Sequence, residues 1–196
     1  MFGDKERFLA TEAVLTPALV QALQKYTEPC HDRYEEQRNI NTFGIENLPK
    51  KPIGLVIGRF QPLHPGHVYL IKMALAACET VIIGIGSANV TDRDNPFSAK
   101  QRKFMMQETL IKESLFHRVG KITPLKDYDD DERWLQETLA QTGNVDMVVG
   151  NNDWVNSVFL NAGIAAIEIP LLERVTYKGE AVREKLRSDG FLQSMY

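Results

Sequence analysis

Cysteine is scarce in this chain of 196 residues. Cys30 and Cys78 stand far apart and in no CxxC pattern, which argues against a disulfide framework or a zinc knuckle and for a reducing compartment. Long apolar runs are missing too. No stretch is long enough to cross a bilayer, and Asp4 and Glu6 fall where a signal peptide would begin its apolar core. Nor is there a surplus of positive charge: 23 Lys and Arg face 26 Asp and Glu, a formal net charge of −3. Such a surface has no general pull on nucleic acid or on an anionic membrane, so any polyanion must be met by a local basic cluster. The expectation is a cytoplasmic protein with a small ligand and with neither nucleic acid nor membrane as partner. What is present is ordinary globular material, 43% hydrophobic and 25% charged, enough for one good core and a small appendage.

From residue 53 onward, short β-branched runs alternate with helical patterns. Strands are predicted at 53–57, 80–85, 118–123, 145–149 and 165–169. Helices are predicted at 66–78, from about 98 to 112 and from about 130 to 141, with a short one after Asn152 and a last one after Gly179. The alternation predicts a doubly wound α/β fold, a mostly parallel five-stranded sheet with helices on both faces. In such sheets ligands lie beyond the carboxyl ends of the strands, near the switch in strand order. The loops after Ile57, Ile85, Thr123 and Val149 should therefore converge on one crevice.

Residues 1–50 read as an N-terminal helical extension to a domain of residues 51–196. Thr16-Pro17 is a good helix start, with proline in the first helical position, and Leu19, Val20 and Leu23 supply an apolar face. Residues 28–41 are polar, with a charged cluster at Asp32-Arg33-Tyr34-Glu35-Glu36. Two readings stand: the extension packs on the core or on a partner subunit, or it is a partly mobile leader.

The chemistry concentrates in Gly58-Arg59-Phe60-Gln61-Pro62-Leu63-His64-Pro65-Gly66-His67, directly behind a predicted strand and opening a predicted helix. That context sets two imidazoles and free backbone N–H groups where phosphates bind. Gly66 would let a triphosphate approach the backbone, while Pro62 and Pro65 stiffen the loop. Metal ligation is the weaker reading, since His31 and His117 have no ligand spacing to these two. Cys30-His31 reads as a solvated or packed pair. Asp92, Asp94 and Asp129-Asp130-Asp131 read as solvated loop acids rather than metal ligands, so no metal site built from protein alone is expected.

The loop resembles the HxGH signature of the nucleotidyltransferase superfamily and, more narrowly, is similar to archaeal-type nicotinamide-nucleotide adenylyltransferases. Gly84-Ile85-Gly86-Ser87-Ala88, Asn95-Pro96-Phe97-Ser98-Ala99 with Arg102, Lys126-Asp127 with Trp134, and Gly150-Asn151 follow in the same order, so the likeness spans about residues 53–190. The resemblance implies a Rossmann-like fold and transfer of AMP from ATP to nicotinamide mononucleotide, giving NAD and pyrophosphate. By that resemblance His64, His67 and Arg183 are catalytic. Gly58, Arg59, Phe60, Gly66, Lys178 and Gly179 fall to ATP, and Gly86, Ser87, Arg102, Asp127, Trp134 and Asn151 to the mononucleotide. Trp134 would stack on the nicotinamide ring and Arg102 would meet the 5′-phosphate. Taken singly, Trp134 reads as core and Arg102 as a solvated helix face. Mg²⁺ would come with ATP. A homo-oligomer is implied by the resemblance alone.

The chain departs from the family in its second signature. A Ser-Gly-Thr-x-Ile/Val-Arg entry to the last helix is replaced by Tyr177-Lys178-Gly179-Glu180-Ala181-Val182-Arg183, which keeps glycine and arginine and loses both hydroxyls. Lys178 would substitute a charge for a hydroxyl contact, whereas Glu180 either repels a triphosphate or turns outward at the helix start. The alternatives to the expected activity are a cytidylyltransferase, a pantetheine-phosphate adenylyltransferase, or a catalytically weak nucleotide sensor.

Overall fold

A computed structural model describes residues 16–27, 49–170 and 178–192. Helix α1 is Pro17–Thr27. Then follow β1 (Lys51–Gly58), α2 (Pro65–Ala77), β2 (Cys78–Ile85) and α3 (Ala99–Lys112). A single 3₁₀ turn leads into β3 (Val119–Pro124), α4 (Asp131–Thr142), β4 (Met147–Gly150), α5 (Asp153–Asn161), β5 (Ala165–Glu168) and α6 (Gly179–Ser188). Every predicted strand and helix from residue 53 onward is present, with ends shifted by a few residues. Cys30, His31, the charged cluster at Asp32–Glu36 and Tyr177 lie outside the described residues.

The five strands are parallel and ordered β3-β2-β1-β4-β5. Consecutive residues of a strand face opposite sides of the sheet, and β1 shows it. Leu55 joins Ile82, Trp134, Val148 and Phe159 under α4 and α5, whereas Val56 joins Tyr69, Met73, Ile83, Met106 and Leu110 under α2 and α3. With both faces covered, the strands need apolar residues throughout, and that is why they read as continuous runs rather than alternating ones. Gly54 breaks the run because a Cβ there would stand 2.6 Å from Cys78 Sγ. Burial pushes that thiol up to about 11, so Cys78 is packing and not a nucleophile at neutral pH.

The strand order reverses between β1 and β4, which puts the crevice beyond the ends of those two strands. A third apolar cluster lies off the sheet. Leu19, Ala22 and Leu23 of α1 meet Val182 and Leu186 of α6, with Phe97 and Leu192. Helix α1 starts as its sequence dictates, Thr16 Oγ1 accepting the Leu19 N–H at 3.2 Å with Pro17 first in the helix. The described part of the extension therefore packs on α6 of its own chain.

Candidate active site

The loop after β1 ends at His64, which occupies the N-cap of α2, and His67 stands three residues on in the first turn. The His64 backbone N–H donates to His67 Nδ1 at 3.3 Å, so the His67 proton resides on Nε2. The two rings stack with centroids 3.7 Å apart and planes at 27°, and the Phe60 ring meets His67 edge-on at 4.9 Å. Burial pulls His64 down to about 4 and holds His67 well below its ordinary value, with His64 adding to the effect on His67. Two imidazoles this close cannot both be charged in a partly desolvated site. Free of ligand they are neutral hydrogen-bond donors at neutral pH, and cationic charge must come from arginine. His64 Nδ1 is buried and has no hydrogen-bond partner among the described residues.

Arg183 carries that charge at the start of the second turn of α6. It is 6% exposed, and its Nη1 donates to the Gln61 carbonyl at 2.6 Å, inside the histidine loop. Its Nη2 reaches Asp94 Oδ1 at 3.4 Å, while Nε is buried with no partner among the described residues. Burial lowers its pKa and Asp94 raises it. Gly179 makes the close approach of α6 possible, because a Cβ there would lie 2.9 Å from the Gln61 carbonyl oxygen. Lys178 is the exposed N-cap of α6 and makes no capping bond, and Glu180 is exposed on the first turn.

Gln61 ties these parts together. It is 3% exposed, and its amide donates to the Phe97 carbonyl at 2.8 Å and accepts from the Phe97 N–H at 3.1 Å. One residue thus joins the β1 loop to the β2–α3 loop by its side chain and to α6 by its carbonyl. Residues 92–95 reinforce the joint: Asp92 Oδ1 accepts from the N–H groups of Asp94 and Asn95, and Arg93 pairs with Glu184 of α6 at 3.6 Å.

Arg102 is not the solvated helix face that it reads as when taken singly. It is 1% exposed, and its Nη1 donates to the carbonyls of Arg59 at 2.6 Å and Gly86 at 2.7 Å, its Nη2 to Ser87 at 3.1 Å. Burial lowers it to about 10, so it remains protonated and clamps the loops after β1 and β2. The Gly86 N–H closes the same junction on the Gly58 carbonyl at 2.9 Å. Ser87, with φ 50°, donates its N–H to Asp127 Oδ1 at 3.2 Å. Asp127 and Asn89 exchange two further bonds, at 2.8 and 3.3 Å. Asp127 is exposed, and Arg59 opens outward from the end of β1.

Trp134 is buried, in keeping with its reading as a core residue when taken singly. It is 3% exposed, edge-on to Phe159 at 6.0 Å and tilted against Trp154 at 4.6 Å. The open indole is Trp154, 43% exposed, whose N–H donates to Asp131 Oδ1 at 3.1 Å. Residue 154 follows Asn151, half-buried after β4, and Asn152, whose side chain caps α5. Gln61, Asn89 and Trp154 were not singled out from sequence, and Asp94 was read only as a solvated loop acid. Gln61 was inside the quoted motif, and the exposed tryptophan one turn from a predicted strand end was a usable signal.

Comparison with known proteins gives a consistent result. A cytidylyltransferase-like family signature matches residues 55–185. A nicotinamide-nucleotide adenylyltransferase of Thermoplasma acidophilum is 33% identical over 138 residues, covering 70% of this chain and 76% of that one. One from Methanolobus tindarius is 34% identical over 131 residues, 66% of this chain and 74% of the relative. A solved bifunctional NMN adenylyltransferase/ADP ribose pyrophosphatase from Francisella tularensis superposes with TM-score 0.61 at 29% identity over 74% of this chain. This chain spans 44% of that bifunctional protein, and a second structure of it is complexed with AMP and a manganese ion. A five-stranded parallel sheet with the histidine loop at its switch point and a family match over two thirds of its length lead to one conclusion: the chain belongs to the cytidylyltransferase-like family.

Proposed function

We propose that this protein is a nicotinamide-nucleotide adenylyltransferase, joining the AMP part of ATP to nicotinamide mononucleotide and releasing pyrophosphate. The observation that carries the reading is the joint at Gln61, which brings the Arg183 guanidinium of α6 against the loop that holds His64 and His67. The mononucleotide phosphate attacks the α-phosphorus in line with the departing pyrophosphate. It is already anionic at neutral pH, so no protein base or nucleophile is required. Negative charge grows on the nonbridging oxygens and on the leaving group, and the site answers with preset donors. His67 Nε2–H and His64 donate to phosphate oxygens at the N-terminus of α2, where the helix dipole adds to the attraction. Arg183, whose Nε has no partner among the described residues, and exposed Arg59 supply positive charge to the β- and γ-phosphates. Gly58, Phe60, Gly66, Lys178 and Gly179 shape the same half of the crevice.

The mononucleotide half is bounded by Gly86, Ser87, Asp127 and Asn151, with Arg102 holding the first two in place. The pyridine ring lies by the Trp134–Trp154 pair, Trp154 offering the open face. Among the described residues no group of three or more His, Cys, Asp or Glu gathers to hold a metal. Mg²⁺ would arrive on the ATP phosphates, where it would supply further charge neutralisation.

Pyrophosphate release tests the proposal, with ATP and Mg²⁺ offered in turn with nicotinamide mononucleotide, nicotinic acid mononucleotide and phosphopantetheine, and CTP with glycerol 3-phosphate. Release with a pyridine mononucleotide alone supports it. Release only with another pair refutes it, and silence with all pairs despite calorimetric ATP binding assigns the chain to nucleotide sensing.

A further inference from the structure

We infer that helix α1, which precedes the family-matched residues 55–185, is a positioning element of the triphosphate site and acts through Arg183. The inference rests on the reading of Arg183 as a phosphate contact. Helix α6 has only ten residues and is too short to hold its own orientation. Its apolar side consists of Val182, 4% exposed and adjacent to Arg183, and Leu186, 0% exposed and one turn on. Neither belongs to the clusters on the two faces of the sheet. They are seated on Leu19, 1% exposed, with Ala22 and Leu23.

The rest of that cluster is telling. Phe97 is the residue whose backbone is held by the Gln61 amide, and Leu192 follows α6. The apolar surface of α1 thus touches the same segments that form the Arg183 pocket, and no strand contributes to it. Arg183 follows Val182 by about 100° around the same helix, so a shift in the seating of Val182 and Leu186 carries the guanidinium with it relative to the Gln61 carbonyl. The described contacts of α1 with α6 are apolar, so the coupling they carry runs through packing.

The test uses the full chain with Leu19→Ala, Leu19→Met, Arg183→Ala and Leu19→Ala in the Arg183→Ala background. Calorimetric ATP affinity, KM for each substrate and thermal melts are read for each. Leu19→Ala should weaken ATP by about fivefold and leave the mononucleotide KM within about twofold, and Leu19→Met should restore the wild-type values. With Arg183 already removed, Leu19→Ala should change ATP affinity no further. Unchanged ATP affinity, an equal loss for both substrates, or the same loss in the Arg183→Ala background would each overturn the inference. If Leu19→Ala fails to fold, Leu19→Val is the milder variant to which the same criteria apply. ATP affinity unaffected by Arg183→Ala would also overturn it. Absence of turnover in the wild type would instead refute the reaction proposed above, while the calorimetric comparison still decides the role of α1.

Discussion

Acidification should cost this fold stability through its histidine pair, by an amount the site geometry sets. His64 ordinarily titrates at 6.5 and is held at about 4 in the folded state. A base with a depressed folded pKa binds fewer protons when folded than when unfolded, so stability falls as pH drops from 6.5 and levels off below the folded value. Moving from pH 7.5 to pH 5 therefore removes roughly 2 kcal/mol through His64 alone, at about 1.4 kcal/mol per pKa unit. His67, held low by burial and by His64, contributes with the same sign. For a chain of this size that corresponds to a melting temperature about 4–8 °C lower for His64 by itself. Carboxylates titrate in the same range, so the assay is a difference: urea or thermal unfolding of the wild type and of His64→Gln/His67→Gln at both pH values, in buffers without phosphate. The double variant should lose distinctly less stability over the interval. Equal losses in the two proteins would show that the rings are solvated and ordinary, and the account of them as neutral donors would fail.

Three other substitutions probe the site. Gln61→Ala leaves the buried Phe97 N–H and carbonyl without partners, and each costs about 1–3 kcal/mol, so a melt should fall well below wild type while the surviving fold shows a raised ATP KM; an unchanged melt would sink the joint as described. Gly179→Ala sets a Cβ against the Gln61 carbonyl, and the displaced α6 should cut kcat/KM for ATP by about tenfold or more, with unaltered kinetics as the contrary result. Trp154→Ala should raise the mononucleotide KM with little change in ATP affinity and a mild effect on melting. Trp134→Ala, emptying a buried site, should instead cost about 3–5 kcal/mol of stability, and a reversal of that pattern would return the ring-facing role to Trp134.

Much of this was legible in the sequence because the signals were local. Apolar runs of strand length separated by helical patterns gave the element order, Thr16-Pro17 gave the start of α1, and a strand-loop-helix context gave the place of His64 and His67. Burial was the part that residue type alone could not supply. Arg102 and Trp134 carry the right chemistry for a phosphate and a flat ring, but a one-dimensional pattern does not say that four carbonyls surround the first or that Phe159 and Trp154 cover the second.

By itself, then, the sequence determined the parallel α/β plan and the place of the histidine loop, since hydrophobic period, glycine, proline and histidine act over a few neighbouring residues. The protonation of the histidines and the approach of Arg183 to Gln61, 122 residues away, were decided by tertiary structure alone. So was the seating of α1 on α6. Desolvation and long-range packing depend on which surfaces the chain brings together, and no local pattern encodes that.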